Sequence, residues 1–209
     1  MSRLVIIGAS GQGKVAADIA VRSGKYDSIE FWDDNESLTE HMGFPVSGSV
    51  EYRLQTDKRD AQLIVAIGNA VVRRKLLEQA RELGYDIPNL IHDRAVIAAD
   101  VKYGYGNVVM AGAVVNSGAR IGNGCILNTG CSVDHDCTLG DYVHVSVGAH
   151  VAGTVVIQDD VWVGAGAVIN NNLEICRNVM IGSGAVVVKN IEQSGTYVGV
   201  PAKLSGQRD

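Results

Sequence analysis

The chain has 209 residues, is 46% hydrophobic and carries a formal net charge of −5 at pH 7 with a pI near 5.5. This length allows one or two domains with a sizeable core, and the acidic balance argues against nucleic acid or an anionic membrane surface as partner. No apolar run approaches the roughly 18 residues that span a bilayer, and the start MSRLVIIGASGQG is too short in apolar residues and too rich in glycine for a signal peptide, so a cytoplasmic protein is expected.

In chain order, Leu4–Ile7 reads as a short buried strand that runs into a Gly8–Gly13 loop, GASGQG, and then a helix from about Lys14 to Arg22. A second strand, Ile29–Trp32, ends in Asp33-Asp34, and a third apolar run, Leu63–Ile67, ends in Gly68-Asn69 before a helix from about Val71 to Leu83. Repeated strand–loop–helix units predict a small α/β domain with a parallel, Rossmann-like sheet over residues 1–88. Its ligand site belongs at the carboxyl ends of the strands, where these three loops meet. Small residues in such a loop let backbone N–H groups approach a phosphate at a helix N-terminus. The spacing G-x-x-G-x-G of Gly8, Gly11 and Gly13 is not the G-x-G-x-x-G of dinucleotide proteins. A phosphate cradle and a tight strand-to-helix turn therefore both remain open. Pro88 stiffens the linker that follows.

From Ile91 on, an aliphatic residue recurs every six positions: Ile97, then Val109, Val115, Ile121, Leu127, Val133 and onward to Val187, interrupted only by Tyr103. Four residues later runs a second, smaller set, including Ala113, Ala119, Cys125, Cys131, Cys137 and Ala149. Neither the helical period of 3.6 nor the strand period of 2 explains a beat of six. A hexapeptide fits one flat side of a triangular coil, the large residue inward and the small one filling the taper. Glycines such as Gly122, Gly140, Gly164 and Gly182 are expected to ease the corners. Residues 89–209 are thus predicted to form a left-handed parallel β-helix, with coils of eighteen residues. Cys125, Cys131 and Cys137 match no zinc spacing and read as small buried hydrophobes. No metal site is expected.

Of the five histidines, His41 and His92 read as surface or linker residues. His135 takes an outward corner position beside Asp136. A carboxylate beside an imidazole can fix its tautomer and support a general base. A solvated corner histidine with an acidic neighbour is the competing reading. Eighteen-residue coils put Gly153 directly over His135, and His144 between Ile126 and Trp162 on another side. His144 can then join His135 only across a boundary between subunits, which predicts a trimer.

The chain resembles the bacterial acetyl-CoA-dependent N-acetyltransferases that modify nucleotide-linked 4-amino-4,6-dideoxy sugars, hexapeptide-repeat acyltransferases grouped with sialic-acid O-acetyltransferases. The resemblance runs through GASGQG, Asp33-Asp34, AIGN (Ala66–Asn69), NLIH (Asn89–His92), ILNT (Ile126–Thr129), DHDC (Asp134–Cys137), HVSVGAHVAG (His144–Gly153) and VGVPAK (Val198–Lys203). It implies that His135 deprotonates the sugar amine with Asp136 in support, a position where many relatives carry Glu. It implies that the Gly153 N–H meets the thioester oxygen, and that His144 holds substrate or donor from the adjacent subunit of a homotrimer. It places coenzyme A near Gly166, Gly184, Val198 and Pro201. Gly8, Ser10, Gly11 and Gly13 would hold the phosphates, and Asp33 and Asp34 the base and ribose. Gly68, Asn69 and Asn128 complete the nucleotide-sugar set. Gln12 stands where close relatives often have His.

The activity so implied is direct acetyl transfer from acetyl-CoA to the C4 amine of a UDP-, dTDP- or GDP-linked sugar, for bacterial surface glycan or glycoprotein synthesis. Acetylation of a sialic-acid-like hydroxyl is the alternative, since one base serves both acceptors. A nucleotide-sensing scaffold leaves the His135–Asp136 pair unexplained. A γ-class carbonic anhydrase would need a different histidine spacing.

Overall fold

The computed structural model describes residues 2–58 and 60–206. They form two compact units, divided between Asp93 and Arg94. The division falls five residues beyond position 88 because the short strand Leu90–Ile91 packs on the first helix of the N-terminal unit.

The first unit runs β1 (Arg3–Ile7), α1 (Gly11–Ser23), β2 (Ser28–Trp32), β3 (Glu40–His41), β4 (Phe44–Ser47), α2 (Val50–Thr56), β5 (Ala61–Val65) and α3 (Ala70–Glu82). The sheet order is β3-β4-β2-β1-β5. All neighbours are parallel except the β3–β4 hairpin. Leu4, Val5, Ile6 and Ile7 are fully buried, as a continuous apolar run in a sheet covered on both faces requires. From β1 the chain moves to β2 on one side and later to β5 on the other. That reversal places the loops after β1, β2 and β5 at one crevice, the usual ligand position in such sheets.

The hairpin and α2 carry no periodic pattern and are not legible in the sequence. The hairpin turns at Met42 and Gly43, both with positive φ, the backbone of a tight type I′ turn. Helix α1 starts at Gly11, three residues before the predicted Lys14, because Ser10 takes the N-cap position and its carbonyl accepts the Lys14 N–H at 2.9 Å. A side chain at Gly13 would collide with the Gly8 carbonyl, so glycine here lets the helix sit against the strand end. His92 is buried, not a surface residue, and its Nδ1 meets Asp93 Oδ1 at 2.8 Å.

The second unit is a parallel β-helix. Its two-residue strands stack on three sides with a register of eighteen: Ser132 over Val114 and under His150, Thr138 between Arg120 and Val156, His144 between Ile126 and Trp162. The six-residue aliphatic positions from Val109 to Val187 are all buried, as are the smaller positions apart from the half-buried Leu173. Ile97 and Tyr103, in the first coil, are more open. Each fully buried aliphatic contributes about 1.5–3 kcal/mol of transfer free energy, so the hexad pattern is the main source of this unit's stability.

The corner chemistry differs from expectation. Gly122, Gly140, Gly164 and Gly182 do not take positive φ. A Cβ at Gly122 would meet the Gly140 carbonyl at 2.6 Å, so coil-to-coil contact selects glycine there. The left-handed corners stand elsewhere. One row is Gly112, Gly130, Gly148, Gly166 and Gly184; a second is Gly118, Asp136, Thr154 and Asn172; a third includes Gly124, Tyr142, Asp160 and Asn178. Strand Gly195–Val198 continues the last side beyond Val179–Ile181, and Lys203–Leu204 folds back antiparallel on it. No helix among the described residues is long and apolar enough to cross a membrane.

Candidate active site

His135 stands on the second corner row, just before Asp136, which holds φ +58. Asp and Asn tolerate that left-handed region better than most residues. The strained corner brings the Asp136 carboxylate back onto its neighbour: His135 Nδ1 lies 3.0 Å from Asp136 Oδ2. An ionised carboxylate only accepts, so Nδ1 carries the hydrogen, and in the neutral ring Nε2 keeps its lone pair. Both side chains are exposed, at 58% and 66%. The hydrogen bond to Asp136 raises the His135 pKa above its ordinary 6.5, with the charges of Asp134 and Asp136 adding to it.

The other carboxylate fixes the backbone. Asp134 Oδ1 accepts the His135 N–H at 2.8 Å and the Asn116 amide at 2.7 Å. These two bonds, the Asn116 bond foremost, hold Asp134 below the usual carboxylate range. Neither Asn116 nor Asp134 is named in the sequence reading as a site residue. Their spacing of eighteen in adjacent coils was the available signal. On the other side, Asp136 Oδ1 rests where a side chain at Gly118 would lie.

Gly153 lies over the imidazole, as the coil register predicted. A Cβ there would come within 2.5 Å of His135 Nε2 and 2.6 Å of Cε1. The ring thus fills the space that glycine leaves. The Gly153 N–H meets no acceptor among the described residues. A basic nitrogen therefore lies against a glycine whose backbone donor is unengaged among the described residues.

His144 is buried and on a different side of the coils. Its ring stacks on Trp162 with centroids 4.7 Å apart, and Trp162 Nε1 donates to Ser146 Oγ at 2.7 Å. Asn128 Nδ2 sits 3.3 Å from His144 Nε2. Asn128 is a coil residue beside His144 and does not belong to the loops of the first unit. His150, for its part, pairs with Ser132 Oγ at 2.8 Å. Gly166 and Gly184 are left-handed corner residues of one row, with open space where side chains would be. Val198 sits on the final hairpin, and Pro201 follows a cis bond from the exposed Val200.

In the first unit the glycine loop leaves β1 at Gly8, with φ +104, and its N–H bonds the Trp32 carbonyl at 2.9 Å. Ser10 caps α1 without a side-chain bond, ahead of Gly11 and Gly13. Asp33 accepts the Ala9 N–H at 2.7 Å and the Asn35 N–H at 2.9 Å, and Asp34 accepts the Val50 N–H at 2.8 Å. Both carboxylates therefore shape the crevice: Asp33 ties the β1 loop to the β2 loop, and Asp34 anchors the start of α2. Asn69 caps α3 through the Val72 N–H at 3.1 Å. Arg73 is fully buried and donates to the carbonyls of Ile67 and Gly68, each at 2.8 Å. It braces the third loop, and a charged residue inside a helix pattern gave no hint of it. No three His, Cys, Asp or Glu side chains gather as a metal-ligand set among the described residues.

Residues 3–80 match the PglD N-terminal domain model, and residues 154–189 match the bacterial transferase hexapeptide model of six repeats. The acetyltransferase domain of PglB from Neisseria gonorrhoeae FA1090 is 39% identical over 98% of this chain and 100% of that one, with a TM-score of 0.95. That domain has also been solved in complex with acetyl coenzyme A, at 39% identity, 97% and 98% coverage and a TM-score of 0.92. PerB from Caulobacter crescentus, solved with CoA and GDP-perosamine, is 34% identical over 99% of this chain and 98% of its own, with a TM-score of 0.92. The chain therefore belongs to the hexapeptide-repeat nucleotide-sugar acetyltransferases.

Proposed function

We propose that this protein transfers the acetyl group of acetyl-CoA to the C4 amine of a nucleotide-linked 4-amino-4,6-dideoxy sugar. The observation that carries the reading is the His135 imidazole, tied through Nδ1 to Asp136 and lying against Gly153 with Nε2 available. The PglB domain that binds acetyl coenzyme A and PerB with its GDP-perosamine support the donor and acceptor classes.

In this mechanism the sugar amine attacks the thioester carbon and His135 Nε2 takes its proton. The oxyanion of the tetrahedral intermediate receives the Gly153 N–H, and CoA leaves as the thiolate. General-base help contributes roughly 10²–10⁴-fold, and one oxyanion donor about 2.7–4 kcal/mol. Holding two substrates in line contributes about 7–11 kcal/mol. Positioning is the largest effect, which gives the first unit its role: its three loops grip the nucleotide, with phosphates at Gly8, Ser10, Gly11 and Gly13. Coenzyme A runs along the coils past Gly166 and Gly184 toward Val198 and Pro201.

The working assembly in this reading is a homotrimer. His135 and His144 stand on different sides of one β-helix, so His144 serves the site of a neighbouring copy. The reaction takes place in the cytoplasm, in keeping with four cysteines that form no disulfide, which suits a reducing compartment. The test is an acetyl-CoA assay against a panel of UDP-, dTDP- and GDP-linked 4-amino sugars, with thiol release and product mass as readouts. One member of the panel is expected to gain a single acetyl group on nitrogen. Acetylation confined to hydroxyls of sialic-acid-like acceptors would overturn the acceptor assignment.

A further inference from the structure

We propose that Cys137, an interior residue of the coils, is a positioning residue that aims the Gly153 N–H at the reacting thioester; the proposal rests on the oxyanion role assigned above to that N–H. The Cys137 thiol donates to the Ala152 carbonyl at 3.0 Å. Ala152 and Gly153 share one planar trans peptide, so fixing the carbonyl fixes the direction of the N–H on its far side. A donor on the carbonyl also polarises the peptide and strengthens its N–H as a donor.

The neighbouring backbone groups are tied in the same way. The Ala152 N–H bonds Ile169 at 3.0 Å, the Gly153 carbonyl accepts from Asn172 at 3.1 Å, and the Thr154 N–H bonds the His135 carbonyl at 2.9 Å. The Gly153 N–H is left without an acceptor among the described residues, at the glycine that lies against the imidazole. Thus the thiol of the residue two after His135 holds, from the inside of the coil, the donor that lies over His135 on the outside. Burial pushes the Cys137 thiol up, so it keeps its hydrogen at neutral pH.

The column that holds Cys137 also takes a smaller and a larger apolar side chain. Ala119, Cys137 and Val155 occupy one interior column in successive coils, all fully buried. Alanine and valine are therefore both compatible with the column, and serine retains a donor. Steady-state kinetics of Cys137→Ser, Cys137→Val and Cys137→Ala are to be compared in the full chain with the best nucleotide-linked amino sugar and acetyl-CoA. Cys137→Val and Cys137→Ala are expected to lose about tenfold in kcat with KM for acetyl-CoA and the acid limb of the pH profile unchanged. Cys137→Ser is expected to recover most of that kcat even if it melts earlier. Valine or alanine variants with the parent kcat would overturn the proposal, as would a serine variant that loses as much as they do. His135→Ala measured in parallel separates the two levels. If it abolishes turnover while Cys137→Val keeps the parent kcat, the proposal for Cys137 fails and the reading of the reaction stands.

Discussion

His135 works as a base only while Nε2 is unprotonated, and Asp136 sets where that changes. The hydrogen bond to Asp136 lifts the imidazole above its ordinary 6.5. The sign follows directly: kcat/KM falls as pH drops through a limb lying above that value. Asp136→Asn removes the charge yet tolerates φ +58 as Asp does, so the corner itself is not strained by the change. Its limb is expected to move to lower pH, with a loss in kcat smaller than that of removing the imidazole. A pH–rate series checks this, and a limb that stays in place would mean Asp136 does not tune the ring. Gly153→Ala tests the contact from the other side. A methyl there meets the ring of an exposed side chain, which swings away without disturbing the core. Turnover is expected to drop at least about tenfold, while the melting temperature moves by under about 2 °C. Equal activity in the alanine variant would show that the ring does not need its place over Gly153.

At the scale of elements, each coil was legible because a period of six has one physical explanation, and the same register placed Gly153 over His135. The corners were less legible. Glycine occurs both where φ is positive and where coils touch, and sequence alone does not separate Gly122 from Gly124. The α/β unit was readable in β1, β2, β5 and the two long helices, whose apolar runs mark buried strands and faces. The hairpin around Met42-Gly43 and helix α2 are too short to show a period. Arg73 was invisible because its role lies in two carbonyls brought close only by the fold. Arg73→Met is expected to cost about 1.5–3 kcal/mol, since hydrogen bonds to a buried charged donor are lost. Loosening that loop is also expected to raise KM for the nucleotide sugar more than KM for acetyl-CoA. Urea unfolding and paired substrate titrations check both; a variant with parent stability would remove Arg73 as the brace of the Ile67–Gly68 turn.

For the whole molecule, a doubly wound sheet with glycine and acidic loops is followed by a coil that carries two exposed imidazoles, His135 beside Asp136 and His150 beside Ser132. The side that carries His144 leaves Trp162 and Met180 partly exposed, at 36% and 46%, apolar surface in keeping with contact between copies. Sedimentation equilibrium is expected to give three chains per active particle, and a fully active monomer would contradict the shared site. The base is what the account stands on. Thiol release by His135→Ala, under conditions where the parent turns over its amino sugar, tests it most directly. A fall of at least about a hundredfold in kcat, in a protein that melts and sediments like the parent, is the predicted result. Turnover close to the parent's would mean that the proton goes elsewhere.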